Sequence, residues 1–301
     1  TSDLTTLLQS AIDSANQNSV SILVTDAIYS VQASDVKSLL GKLQVESIRT
    51  RGQVRNAIKL KDLTTVVVKM SSKFQGNYYP ASGGVKRINQ SRPYYIFLFG
   101  SGRQIKNCLE LLELQSYNGF SEISFFKKSD INEVKYGVVR PLGQYRTEGD
   151  FKLDNHSTNN KILDDVRLKN GELGFYFCID TAPSEIPLEV WSDLENYSID
   201  LAKPLQYEVI ESHAISKLDA AVKSSFDFQP ELLFTVKGQM FPKDINIKFT
   251  ITRPNWVAMT SSDDDTDIVG NETQTLGFEY LFDAISEAYG KDAINNFQFK
   301  L

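Results

Sequence analysis

The sequence holds two cysteines and two histidines in 301 residues, and that scarcity removes several kinds of chemistry. Cys108 falls in a helical pattern and Cys178 in a strand pattern far along the chain. A disulfide scaffold is therefore not expected, and both thiols read as buried and free. The same four residues are too widely spaced for a zinc site. His156 sits in the polar stretch Asp154–Asn160 and His213 in an apparent strand, neither beside a Gly-x-Ser-x-Gly elbow, so no nucleophile triad is expected. No Gly-x-Gly-x-x-Gly or Walker pattern follows a strand, and Gly100-Ser101-Gly102 alone is a weak anion-binding hint.

Long hydrophobic runs are missing too. Thr64–Met70 and Tyr94–Gly100 are the longest, strand-sized and far short of the ~20 residues that span a bilayer. No membrane span is expected, and the polar opening shows no cleavable signal peptide. An excess of positive charge is also absent. The formal net charge is -6 and nothing concentrates Lys and Arg, so no nucleic-acid partner is expected. The start at Thr1-Ser2 without Met is expected to reflect processing, truncation or cloning. It leaves room for a lost targeting segment on a soluble chain, in the cell envelope or the cytoplasm.

What is present is ordinary for a folded chain: 41% hydrophobic and 23% charged residues, in a length that favours two domains. Leu4, Leu7, Leu8, Ala11, Ile12 and Ala15 keep the spacing of a helix with one buried stripe. Val20–Thr25 reads as a buried strand, and Ser34-Asp35 as a cap ahead of a helix carrying Val36, Leu39, Leu40 and Leu43. Thr64–Met70, Pro93–Gly100 and Phe120–Phe126 read as strands, with a helix after Gly102. Helices alternating with strands predict a parallel, Rossmann-like sheet over residues 1–134. Within it, Ser71–Arg92 reads as a long loop at the carboxyl edge, where open α/β sheets place ligands. Its aromatics Phe74, Tyr78 and Tyr79 form a candidate partner-binding surface, or else pack as a flap on their own domain.

Beyond about residue 135 the period changes to two. Leu173, Phe175, Phe177 and Ile179 share one face, and Ile245, Ile247, Phe249 and Ile251 repeat the pattern. Residues 135–301 are predicted to form an antiparallel, β-sandwich-like domain. A C-terminal helix carrying Leu276, Phe278, Leu281, Phe282, Ile285 and Ala288 is expected to end at Gly290. The cluster Asp263-Asp264-Asp265-Thr266-Asp267, with Glu272 near, lacks the glycine spacing of a calcium loop and reads as solvated.

Ser2-Asp3-Leu4-Thr5-Thr6-Leu7-Leu8, then Ser21-Ile22-Leu23-Val24-Thr25-Asp26, resembles the second and third metal-site motifs of a von Willebrand factor A (vWA) domain. In that family a Ser or Thr opens a helix that feeds a buried strand ending in Thr-Asp-Gly. The resemblance covers roughly the first 125 residues. It implies Ser2 and Asp26 as metal-contacting residues, with Ala27 in place of the Gly. The family's first motif, Asp-x-Ser-x-Ser, is missing. Asp26-Ala27-Ile28-Tyr29-Ser30 serves poorly as a degenerate copy, because Ile96–Gly100 would then have to provide an Asp it lacks. The resemblance implies Mg²⁺ or Ca²⁺ held weakly or not at all by this chain, a partner's acidic residue completing the coordination. The alternative for Asp26 is a solvated or capping carboxylate without a metal.

The expected function is non-enzymatic: binding or scaffolding of another protein at the carboxyl edge of the vWA-like sheet, in an oligomeric state the sequence leaves open. The alternative is a metal-dependent hydrolase using Asp26, which needs at least two further carboxylates close to it.

Overall fold

The computed structural model describes residues 3–128, 134–154, 158–200, 207–214, 220–239, 244–290 and 294–301. The chain divides into two compact units, residues 1–128 with 253–291 and residues 129–252 with 292–301. In chain order the first unit opens with α1 (Leu4–Ser14), β1 (Ser21–Thr25), α2 (Val36–Lys61), β2 (Thr64–Tyr78), β3 (Lys86–Gly100), α3 (Gly102–Leu112) and β4 (Phe120–Phe126). The second holds β5 (Lys135–Val138), β6 (Asp150–Leu153), β7 (Leu163–Arg167), β8 (Leu173–Asp180), α4 (Leu188–Ser192), β9 (Tyr197–Asp200), β10 (Tyr207–Ala214), α5 (Ala220–Lys223), β11 (Leu232–Gly238) and β12 (Asp244–Phe249). The chain then returns to the first unit with α6 (Trp256–Thr260), β13 (Ser261–Ser262), β14 (Thr275–Leu276) and α7 (Phe278–Tyr289), and finishes in the second with β15 (Asn295–Lys300).

The sheet of the first unit overturns the Rossmann-like, vWA-like reading. Its order is β1-β3-β2-β4 and every pairing is antiparallel. Among the described residues, the only parallel pairing of two strands is the two-residue contact of β13 with β14. A parallel return needs a dozen or more residues. The connection between β2 and β3, residues 79–85, is far shorter, so the two strands form a hairpin. The helix–strand alternation is real but serves split units. β1 and β2 run the same way on either side of β3, with α2 between them in sequence; β3 and β4 flank β2 in the same manner, with α3 between. An antiparallel strand inserted between two crossover-linked strands leaves the alternation in sequence untouched.

Capping and burial fix the helices. Asp3 accepts from the Thr5 N–H at 3.1 Å and Asp35 from the Ser38 N–H at 2.9 Å, each satisfying a free donor at a helix start. Leu4, Leu8 and Ile12 of α1, Leu39, Leu43, Val54 and Ala57 of α2, and Phe278, Leu281, Phe282 and Ile285 of α7 form one core. They pack on Val67, Tyr95, Phe97, Phe99 and Phe126 of the sheet. Tyr95 stacks on Phe278 at 4.1 Å, and the Thr65 and Tyr289 hydroxyls meet at 2.8 Å. Val66, Val68 and Leu98 are buried on the opposite face, and α3 packs against β2 and β3.

The stretch 71–92 is not a loop. Its two arms continue the hairpin in unbroken register from Ser71↔Pro93 to Tyr78↔Lys86. β1 pairs only with Tyr95–Phe99 and β4 only with Thr65–Met70, so beyond them the hairpin is a two-stranded ribbon. Polar residues on both arms hid it from any apolar periodicity.

The second unit holds two antiparallel sheets, β10-β11-β8-β5 and β15-β12-β9, and the hairpin β6-β7. Rings of the two larger sheets meet: Phe177 with Phe299 at 5.2 Å, Phe175 with Phe299 at 5.4 Å and Tyr197 with Phe234 at 4.8 Å. The helix expected to end at Gly290 is present as α7. α7 belongs to the first unit, and the chain ends in β15, paired with β12. Cys108 and Cys178 are both free. Among the described residues, no helix is long and apolar enough to cross a membrane.

Candidate functional site

Because β1 and β2 run the same way, the end of β1 and the overhanging ribbon lie at one end of the sheet. Thr25 is level with Tyr95, and the ribbon begins at Pro93 and Ser71. The chain leaves β1 through a sharp turn. Ala27 has φ 58, a left-handed conformation that is strained for alanine. Two side chains hold it there: Thr25 Oγ1 accepts from the Ala27 N–H at 3.1 Å, and Asp26 Oδ1 accepts from the Ile28 N–H at 3.3 Å. The segment that follows is pinned by Tyr29, whose buried hydroxyl shares a 3.0 Å hydrogen bond with Thr50. It is pinned again by the Ala33 N–H, which donates to the Ala81 carbonyl at the ribbon tip at 3.0 Å.

A two-stranded ribbon is marginal by itself. Here the segment 265–275 lies along it and holds it by polar contacts. Asp265, buried, accepts from the Tyr78 hydroxyl at 2.9 Å and from the Ala81 N–H at 3.0 Å. Arg92, also buried, donates to the carbonyls of Asn271 at 2.8 Å and Gln274 at 2.9 Å, and lies 5.7 Å from the centre of the Tyr78 ring. Gln90 donates to the Ile268 carbonyl at 2.8 Å, and Lys86 to that of Thr266. Burial raises the Tyr78 phenol's pKa well above its ordinary value, and the negative charge of Asp265 raises it further. Burial lowers that of the Arg92 guanidinium, partly offset by Tyr78, Tyr95 and Asp26.

Between the ribbon, the turn after β1 and the start of α1 lies a cleft of about 720 Å³. Asp26, Phe74, Tyr78 and Tyr79 all line it, together with Leu4, Leu7, Lys42, Arg92 and Tyr94. The three aromatics differ in kind. Phe74 is 41% exposed and Tyr79 67%, whereas Tyr78 is half-buried and tied to Asp265. The Phe74 ring lies over Gly76, where an added Cβ would come within 2.7 Å of it, so the glycine makes room for the ring.

Ser2, the other residue implied as a metal contact, lies outside the described residues, as does His156; of the His213 side chain nothing is described. Asp26 is exposed, with one carboxylate oxygen engaged by its own turn. Among the described residues, no three His, Cys, Asp or Glu side chains gather as a group that could hold a metal ion. The carboxylate cluster at 263–267 is not wholly solvated, since Asp265 points inward. Sequence reasoning missed both Asp265 and Arg92. The Asp265–Tyr78 contact joins residues 187 apart, and only an acid within a polar run and an Arg-Pro pair marked them. Comparison of the chain with protein-family models, with curated proteins and with solved structures finds no match.

Proposed function

We propose that this chain is a non-enzymatic protein-binding module and that its contact face is the cleft between the turn after β1 and the β2–β3 ribbon. One observation carries the reading: Phe74 and Tyr79 are exposed aromatics lining the same cleft as Asp26. Aromatic side chains that gain burial on binding are frequent anchors of protein interfaces, each able to contribute on the order of 2 kcal/mol. Their support is fixed in advance by Asp265, Arg92 and the Ala33–Ala81 contact, so little ordering opposes binding.

The test is quantitative affinity capture with the wild-type chain and with Phe74→Ser/Tyr79→Ser. A specific protein should be retained by the wild type and lost by the double variant, while thermal melting stays within a few degrees. Recovery of the same proteins by both chains, or no specific protein with either, would overturn the reading.

A further inference from the structure

The two edges of the first unit's sheet are built differently. β4 is blunted: its register with β2 shifts between Lys69 and Met70, and it carries Glu122. Such irregularity and charge are the usual devices that stop a sheet from pairing with another chain. β1 has neither. Ser21-Ile22-Leu23-Val24-Thr25 contains no charge and no proline, and it pairs with β3 residue by residue without a shift. Among the described residues, no backbone hydrogen bond joins it to any other strand. Ile22 and Val24, on one face of the strand, are 50% and 60% exposed. At its end the strand runs into Asp26 and the cleft.

We infer that β1 receives an extended peptide segment of the protein partner as an added antiparallel strand, whose N-terminal flank carries a Lys or Arg towards Asp26 and enters the cleft. This rests on the protein-binding reading of the cleft and names what the partner presents. An unpaired edge offers alternating N–H and C=O groups that an extended backbone satisfies. Antiparallel addition continues a sheet in which all neighbours are antiparallel. It sets the start of the added segment beside Thr25, so residues before it reach Asp26. The exposed Asp26 carboxylate at that point favours a basic group. Apolar side chains at alternate positions of the peptide would cover Ile22 and Val24. Area disfavours a second copy as the occupant. The edge is five residues long, against the roughly 20–30 residues a side of a standard protein interface, whereas a peptide continuing into the cleft gains surface at both places.

The experiment is selection of random linear peptides displayed on phage against the intact chain, followed by synthesis of the enriched sequences. The expected peptides carry Lys or Arg ahead of an alternating β-branched stretch. N-methylation at alternate backbone nitrogens should weaken them about tenfold, the effect of removing one or two backbone hydrogen bonds. They should also fail on Ile22→Lys/Val24→Lys, whose folding is checked by circular dichroism and melting. Peptides indifferent to N-methylation and to the edge variant, yet lost with Phe74→Ser/Tyr79→Ser, would overturn strand addition and leave the cleft reading intact. Peptides that need the edge but not Phe74 and Tyr79 would support strand addition and overturn the cleft reading. No enrichment, or a dimer in light scattering that Ile22→Lys/Val24→Lys dissolves, would overturn the inference.

Discussion

The inner and outer halves of the β2–β3 hairpin share one register and one turn, yet they are stabilised by different forces. From Thr64 to Met70 the first strand is almost entirely buried, flanked by β3 and β4 and pressed between helices. From Ser71 to Asn77 it is almost entirely exposed, and a polar segment holds the outer hairpin by contacts of Asp265 with Tyr78 and Ala81 and of Arg92, Gln90 and Lys86 on the second strand with the segment's carbonyls. Apolar burial is non-directional and makes the inner half a rigid platform. Hydrogen bonds of modest net worth specify the position of the outer half without welding it to the core. The candidate site belongs to that second kind of structure.

The contrast predicts its own largest effect. Phe97→Ala removes a fully buried ring from the centre of the inner half, at a cost of about 3–5 kcal/mol in urea denaturation. Both halves should then lose hydrogen-exchange protection together. Asp265→Ala should cost less, about 1–3 kcal/mol, because it strands the buried Ala81 N–H and the Tyr78 hydroxyl. Here the loss should be local, with protection falling across 71–78 and 86–93 while Val66–Val68 and Phe97–Phe99 keep theirs. An equal fall in both halves would show that the hairpin is one cooperative unit and end the comparison.

How much could be read from the sequence follows the same division. Val66, Val67, Val68, Phe97 and Phe99 announce the inner strands, because burial on both faces demands continuous apolar runs. The direction of those strands was not legible. Helix–strand alternation fits a split antiparallel unit as well as a parallel sheet, and only the short 79–85 connection separates the two. The outer strands escaped notice because Ser71-Ser72-Lys73 and Asn89-Gln90-Ser91-Arg92 are polar and are held by contacts distant in sequence. Phe74, Tyr78 and Tyr79 could be named from aromatic content, whereas Asp26 is named only through the resemblance to a vWA motif, whose parallel sheet the structure does not have. That Tyr78 supports the cleft while Phe74 and Tyr79 face it depends on Asp265, placed by a segment 187 residues further along the chain.

The smallest effect concerns one hydroxyl. Tyr78→Phe keeps the ring and the Arg92 contact but removes the donor to Asp265, at a cost of about 1 kcal/mol. Its pH dependence sharpens the test. Burial, and then the Asp265 charge, raise the folded-state pKa of this phenol above its ordinary 10.0. A raised pKa means that the folded chain keeps a proton the unfolded chain releases. The stabilisation is therefore complete below pH 10.0 and is lost as pH rises beyond it. Other buried tyrosines, Tyr95 and Tyr289 among them, titrate with the same sign, but they are common to both proteins and cancel in the difference. The stability of wild type minus that of Tyr78→Phe, from urea denaturation across a pH series, should be constant near neutrality and shrink above pH 10.0. A difference that stays flat through that range would mean that the Tyr78 hydroxyl is solvated rather than held by Asp265. The outer half would then lack the polar clamp that distinguishes it from the inner one.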